Sequence, residues 1–166
     1  MTTQEFRSIV MPLQAIMYRI ALRITGNHDD ACDAIQDTLV RLWNHAGSLA
    51  VAQDKSAYCV GALKKQCISL IRSRKEHAPV EILACNPSPE SLSDDVERRD
   101  TLRMIREAIG GLPESQRRVM ELSVFSQCDN SEICDITGMT DANVRAALSR
   151  GRRRIKELFT QKSARL

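Results

Sequence analysis

Between Gly138 and Leu158 the chain reads GMTDANVRAALSRGRRRIKEL, and the side chains there that can do chemistry are an asparagine, a serine and a run of arginines. Asn143 and Arg145 are of the two types that form paired hydrogen bonds with adenine and guanine edges, while the block Arg152, Arg153 and Arg154 suits phosphate oxygens. The residue types do not offer catalysis. His28, His45 and His77 are scattered among turns and a connector, and no Ser/His/Asp order, glycine-rich phosphate loop or His/carboxylate metal pair occurs. The expectation is a protein that is not an enzyme and needs no metal or cofactor.

To reach a duplex, these side chains must lie on one face of a helix whose other face is held by a core. Val144, Leu148, Gly151, Ile155, Leu158 and Phe159 make such an apolar stripe, leaving Asn143, Arg145, Ala146, Ser149, Arg150, Arg152, Arg153 and Arg154 on the outer faces. Thr140 caps this helix, Gly138 breaks the chain before it, and Ser131 is expected to cap a very short helix with Ile133 and Ile136 inward. That order is the grammar of a helix-turn-helix, whose second helix offers its first turns to a major groove. From Arg145 to Arg165 there are 8 Lys+Arg against 1 acid. A helix C-terminus needs only one or two cations to offset its dipole, so the excess points to a polyanion.

The charge of the whole chain conceals this pattern. Lys+Arg number 24 and Asp+Glu 21, but residues 1–75 hold 10 basic and 6 acidic groups, 76–96 hold 5 acids and no base, and 97–166 hold 14 and 10. Two basic ends on an acidic connector imply polyanion binding at two places. With 166 residues, 43% of them apolar and only 4% aromatic, two small domains are the natural division. Cys32, Cys59, Cys67, Cys85, Cys128 and Cys134 show no zinc-type spacing and read as small buried hydrophobes in a reducing compartment. The beginning of the chain lacks a basic and then apolar leader, and no apolar run approaches the roughly 18 residues of a membrane span, so a cytoplasmic location is expected.

Periodicity supplies the remaining elements. After Pro12, the positions Leu13, Ile16, Met17, Ile20 and Ile24 form a helix stopped by Gly26, and residues 27–30 make a turn. In DDACDAIQDTLVRLWNH, Ala31, Ala34, Ile35, Thr38, Leu39, Leu42 and Trp43 share the core stripe, and Asp33, Gln36, Asp37, Val40 and Arg41 point elsewhere. AGSLAVAQDKS reads as a loop. A third helix runs from about Ser56 to Arg74 with Val60, Leu63, Cys67, Leu70 and Ile71 inward and Lys64, Lys65, Ser69, Arg72 and Arg74 outward. Three prolines and several serines make 76–96 a flexible linker. Beyond it, Leu102, Ile105, Ile109 and Leu112 mark one helix, and Pro113 opens another carrying Val119, Leu122 and Phe125. No segment alternates with period two, so the fold class is all-α.

YRIALRITGNHDDACDAIQDTLVRLW, SAYCVGALKKQCISLIRSRK, LPESQRRVMEL and the helix-turn-helix, in that order, resemble bacterial RNA polymerase sigma factors of the small two-domain, extracytoplasmic-function group. The resemblance spans about residues 10–75 and 100–160. It implies a first domain over 1–75 that binds core polymerase and melts the minus-ten element, a linker over 76–96, and a second domain over 97–166 that reads the minus-thirty-five element. Its implied partners are core polymerase through the β′ and β subunits, promoter DNA and, as a further candidate, an anti-sigma protein. On this resemblance Asp33, Gln36, Asp37 and Arg41 meet a coiled coil of β′, and Tyr58, Lys64, Lys65, Ser69, Arg72 and Arg74 meet the opened minus-ten strand. Tyr58 has a second reading as core. The loop 47–55 corresponds to the base-capturing loop. Asn143, Arg145, Ala146, Ser149 and Arg150 lie at the minus-thirty-five bases, with Arg152, Arg153 and Arg154 on the backbone. Ala62-Leu63-Lys64-Lys65 departs from the family's usual Ile-Ala-Arg-Asn, and Ser69 stands where an aspartate is common. The same helix-turn-helix is open to another reading, a stand-alone regulator that binds palindromic operators as a dimer, and the first helices to a third, a protein-binding adaptor.

Overall fold

Among the residues that the computed structural model describes, 1–77 and 96–163, every regular element is a helix. They belong to two compact units, Met1–Pro87 and Ser88–Leu166. Most of the segment expected to be a linker, and Cys85 with it, lies outside the described residues.

The first unit contains α1 (Thr3–Val10), a 3-10 turn (Met11–Leu13), α2 (Gln14–Thr25), α3 (His28–Asn44), α4 (Ala46–Val51) and α5 (Lys55–His77). Helices α2, α3 and α5 pack on one another. Met17, Ile20, Ala21 and Ile24 of α2 are buried with Ala31, Ala34, Thr38 and Leu42 of α3 and Cys59, Leu63, Cys67 and Ile68 of α5. The alanines of α3 let the backbones approach closely, and the one hydroxyl in this seam, Thr38, donates to the Ala34 carbonyl at 2.6 Å. Gly26 ends α2 in the left-handed region (φ 71), where only glycine is free of strain.

Several expectations are corrected here. Helix α1, unanticipated, starts with a capping box: Thr2 Oγ1 accepts from Glu5 N–H at 3.2 Å, and the Glu5 carboxylate accepts from Thr2 N–H at 2.6 Å. Those hydrogen bonds from Thr2 hold the Glu5 carboxyl below its ordinary value. The turn expected over 27–30 is shorter, because Asn27 Oδ1 caps α3 by accepting from Asp29 and Asp30 N–H. Part of the expected loop is α4, whose Leu49 is fully buried with Leu42 and Cys59 and covered by Phe6, Ile9 and Leu13. Trp43, placed in the core from its stripe, is 43% exposed: its ring packs in a T-shaped contact with Phe6 of α1, centroids 5.2 Å apart, and too little else covers it. Ile16 is likewise exposed, and on α5 Cys59 and Ile68 join the expected Leu63 and Cys67 as buried positions, while Val60, Leu70 and Ile71 are only half-buried.

The second unit contains α6 (Val96–Gly110), α7 (Glu114–Phe125), α8 (Asn130–Thr137) and α9 (Asp141–Ser163). Its core joins Ile109, Leu112, Val119, Met120, Leu122, Cys128, Ile133, Ile136, Val144, Ala147 and Leu148. Asp129, not Ser131, caps α8, through a reciprocal box with Glu132 (2.8 and 2.9 Å). Leu158, the last turn of the expected stripe, is exposed, because α9 runs past the helices it packs on.

Cys59, Cys67 and Cys128 are buried, whereas Cys32 and Cys134 are half-exposed. Burial pushes the Cys59 thiol up from its ordinary value, keeping it protonated and unreactive. Iodoacetamide at mildly alkaline pH is therefore expected to alkylate Cys32 and Cys134 in the folded chain and Cys59, Cys67 and Cys128 only after denaturation. Mass mapping of the labelled peptides checks this, and early labelling of Cys59 contradicts it.

Candidate nucleic-acid interface

The second unit builds its interface from one turn. Gly138, at φ 73, closes α8 by donating its N–H to the Cys134 carbonyl at 2.8 Å. Thr137 Oγ1 donates to the Ile133 carbonyl at 2.7 Å and accepts from Met139 N–H at 3.3 Å. Thr140 Oγ1 then accepts from Asn143 N–H at 3.3 Å and starts α9. Burial of Val144, Ala147, Leu148 and Gly151 fixes the rotation of α9 about its axis.

That rotation exposes Asn143, Arg145, Ser149, Arg150, Arg152, Arg153 and Arg154, with Ala146 half-buried among them. Arg145 Nε lies 2.8 Å from Asp141 Oδ2, one turn earlier, with both side chains mostly in solvent. Such an exposed pair stabilises by only about 0.3–0.5 kcal/mol, so it steers the guanidinium towards the start of α9 and gives way to a better acceptor. Arg153 is only loosely paired with Glu157, at 3.9 Å. Asn130, which the sequence reading passed over, opens α8 and shares a shallow depression with Arg145, Leu148, Ser149 and Arg152. Its position at the start of the first helix of the motif was the available signal.

In the first unit the residues fall on two faces. Asp33, Gln36, Asp37 and Arg41 are all exposed along one side of α3, with Val40, 60% exposed, between them. Lys65, Ser69 and Arg72 are exposed on α5, Lys64 is half-buried, and Tyr58, 38% exposed in the first turn, is not core. Arg74 is committed elsewhere: its guanidinium makes two contacts to the carboxylate of Asp30, the one buried acid among the described residues. The faces of α3 and α5 also touch, since Gln66 Nε2 donates to Asp37 Oδ2 at 2.9 Å.

Two family models match in the order of the two units: sigma-70 region 2 over residues 9–77 and sigma-70, region 4 over residues 102–155. The chain belongs to the sigma-70 family. Within that family it is similar to the extracytoplasmic-function (ECF) sigma factors. It is 26% identical over 136 residues to the ECF RNA polymerase sigma factor SigL of Mycobacterium tuberculosis, covering 81% of this chain and 77% of that protein. It is 27% identical over 154 residues to the RNA polymerase sigma-E factor of Streptomyces avermitilis, covering 92% and 84%. Its fold is that of the sigma factor RpoE from Bartonella quintana, solved in complex with the anti-sigma factor NepR, at a TM-score of 0.53 and 22% identity, covering 95% and 98%.

This is therefore an ECF-type sigma factor, which binds core RNA polymerase and directs promoter-specific initiation. The stand-alone operator-binding reading is not favoured, because the region 2 match accounts for the first unit as a sigma module. No helix among the described residues is long and apolar enough to cross a membrane.

Proposed function

We propose that this sigma factor divides its work between the units, the first (1–75) docking on polymerase and opening the minus-ten element, the second (97–166) reading the minus-thirty-five element. The observation that carries the division is the pair of exposed polar faces on the first unit. The acidic face of α3 with Asp33, Gln36 and Asp37 suits a basic helical surface of β′, with Arg41 at its far end. The α5 face with Tyr58, Lys64, Lys65, Ser69 and Arg72 offers a ring and cations to an unpaired strand. Arg74 serves this face by anchoring α5 to α3 rather than by meeting phosphate.

On α9, Asn143, Arg145, Ala146, Ser149 and Arg150 face the bases and Arg152, Arg153 and Arg154 the phosphates. Two weak DNA sites held apart by polymerase gain through effective concentration, so neither unit needs a strongly basic surface. The factor contributes promoter choice and melting, while polymerase carries the chemistry; it is not itself an enzyme, and it works in the cytoplasm. The complex of RpoE with NepR supports an anti-sigma partner for this chain too.

Reconstituted transcription tests the division. The isolated chain is expected to bind promoters weakly, and core polymerase plus the chain to initiate at a subset of a genomic pool. Initiation at no promoter overturns it. At those promoters, Arg145→Ala is expected to cost about 1–3 kcal/mol of binding when the upstream base it reads is present. Equal losses on every upstream sequence would make Arg145 a phosphate contact instead.

A further inference from the structure

Asp37 is the one acid of the polymerase-facing row that another helix holds. Gln66 lies 29 residues further along, half-buried on α5, and its Nε2 donates to Asp37 Oδ2 at 2.9 Å. An ionised carboxylate can only accept, so the carboxamide must present its NH2 here, and the reversed orientation would set two acceptors face to face. The Gln66 side chain is half-buried, with its Oε1 closed off from solvent, which limits where its amide can swing. An exposed aspartate on a helix otherwise samples several rotamers, and ordering it on association weakens binding.

From this geometry we infer that Gln66 is a positioning residue for polymerase docking: from the promoter-facing helix it presets the Asp37 carboxylate that the partner meets. The inference rests on the proposed docking role of the α3 face. It also makes Asp37 common to both faces, so that a partner seated on α3 reaches α5 through one hydrogen bond.

The test is the affinity of the full chain for purified core polymerase without DNA, for wild type, Gln66→Met, Asp37→Ala and the double variant. Methionine keeps the length and packing of glutamine and removes the donor, and unchanged helicity and thermal unfolding identify a folded variant. Gln66→Met is expected to weaken core binding about fivefold and to have no further effect once Asp37 is alanine. Gln66→Glu, placing a carboxylate against Asp37, is expected to weaken it more. Wild-type affinity of Gln66→Met, with Asp37→Ala impaired, overturns the inference and leaves the docking face standing. Equal losses from Gln66→Met with and without Asp37 also overturn it, since they would mark a packing role. Should Asp37→Ala bind core like wild type, the docking role of Asp37 fails and the inference falls with it.

Discussion

Gly151→Val is expected to destabilise the second unit by about 3 kcal/mol, the upper end for overpacking a close helix crossing, and to remove upstream promoter recognition with it. Gly151 is buried in the middle of the helix that carries the arginines. A Cβ there would lie 2.8 Å from Met120 Cγ and 3.1 Å from its Sδ, with Leu112 Cδ1 at 3.6 Å behind. A β-branched side chain has one favoured rotamer on a helix, so its methyls cannot turn away. An alanine would regain about 1 kcal/mol of helix propensity over glycine. That gain is set against the displacement of Met120, itself only 4% exposed.

The measurement is protection of the minus-thirty-five element by the chain with core polymerase, alongside the fluorescence-detected unfolding of Trp43, the only tryptophan, which lies in the first unit. Protection is expected to vanish while the Trp43 signal keeps its wild-type behaviour. Adding Met120→Ala to Gly151→Val makes room for the methyls and is expected to restore part of the protection; no recovery would place the clash elsewhere.

The second large effect lies at the ion pair between α3 and α5. Asp30 is buried, and Arg74 is the cation facing it. Arg74→Ala leaves a buried carboxylate without its partner. A fully enclosed pair broken in this way costs 3–5 kcal/mol, but the Arg74 side chain is 48% exposed and water replaces part of it, so about 2 kcal/mol is expected. In a unit of this size that lowers the midpoint of the Trp43 unfolding curve by about 10 °C. Asp30→Asn in the same background removes the stranded charge and is expected to recover most of the loss. A phosphate role for Arg74 predicts the reverse pattern, weaker promoter binding with unchanged unfolding.

Helix α9 was largely legible in the sequence. Its cap at Thr140, its break at Gly138 and its inward Val144 and Leu148 are local signals, and the exposure of Asn143, Arg145, Ser149 and Arg150 follows from a helical period once the core side is chosen. The same reasoning failed where a stripe needs a partner to be buried. Trp43, Ile16 and Leu158 have the right spacing and too little to pack against, while a six-residue helix of small residues, α4, forms because Leu49 finds Leu42 and Cys59 beneath it. Helix α1 carried a capping box, Thr2 with Glu5, which was the overlooked clue to its existence.

The sequence by itself determined the helical class, two modules in order, most helix ends and the residue types that suit DNA. These rest on contacts between residues three or four apart and on side-chain chemistry, which survive any arrangement of the helices. Only the tertiary structure decided that Arg74 answers Asp30 across 44 residues, that Gln66 holds Asp37 across 29, and that a side chain at Gly151 would have to displace Met120. A helical period says which way a side chain points. What it meets there depends on how neighbouring helices are rotated and how deep they sit, and that is set by the packing of the whole core.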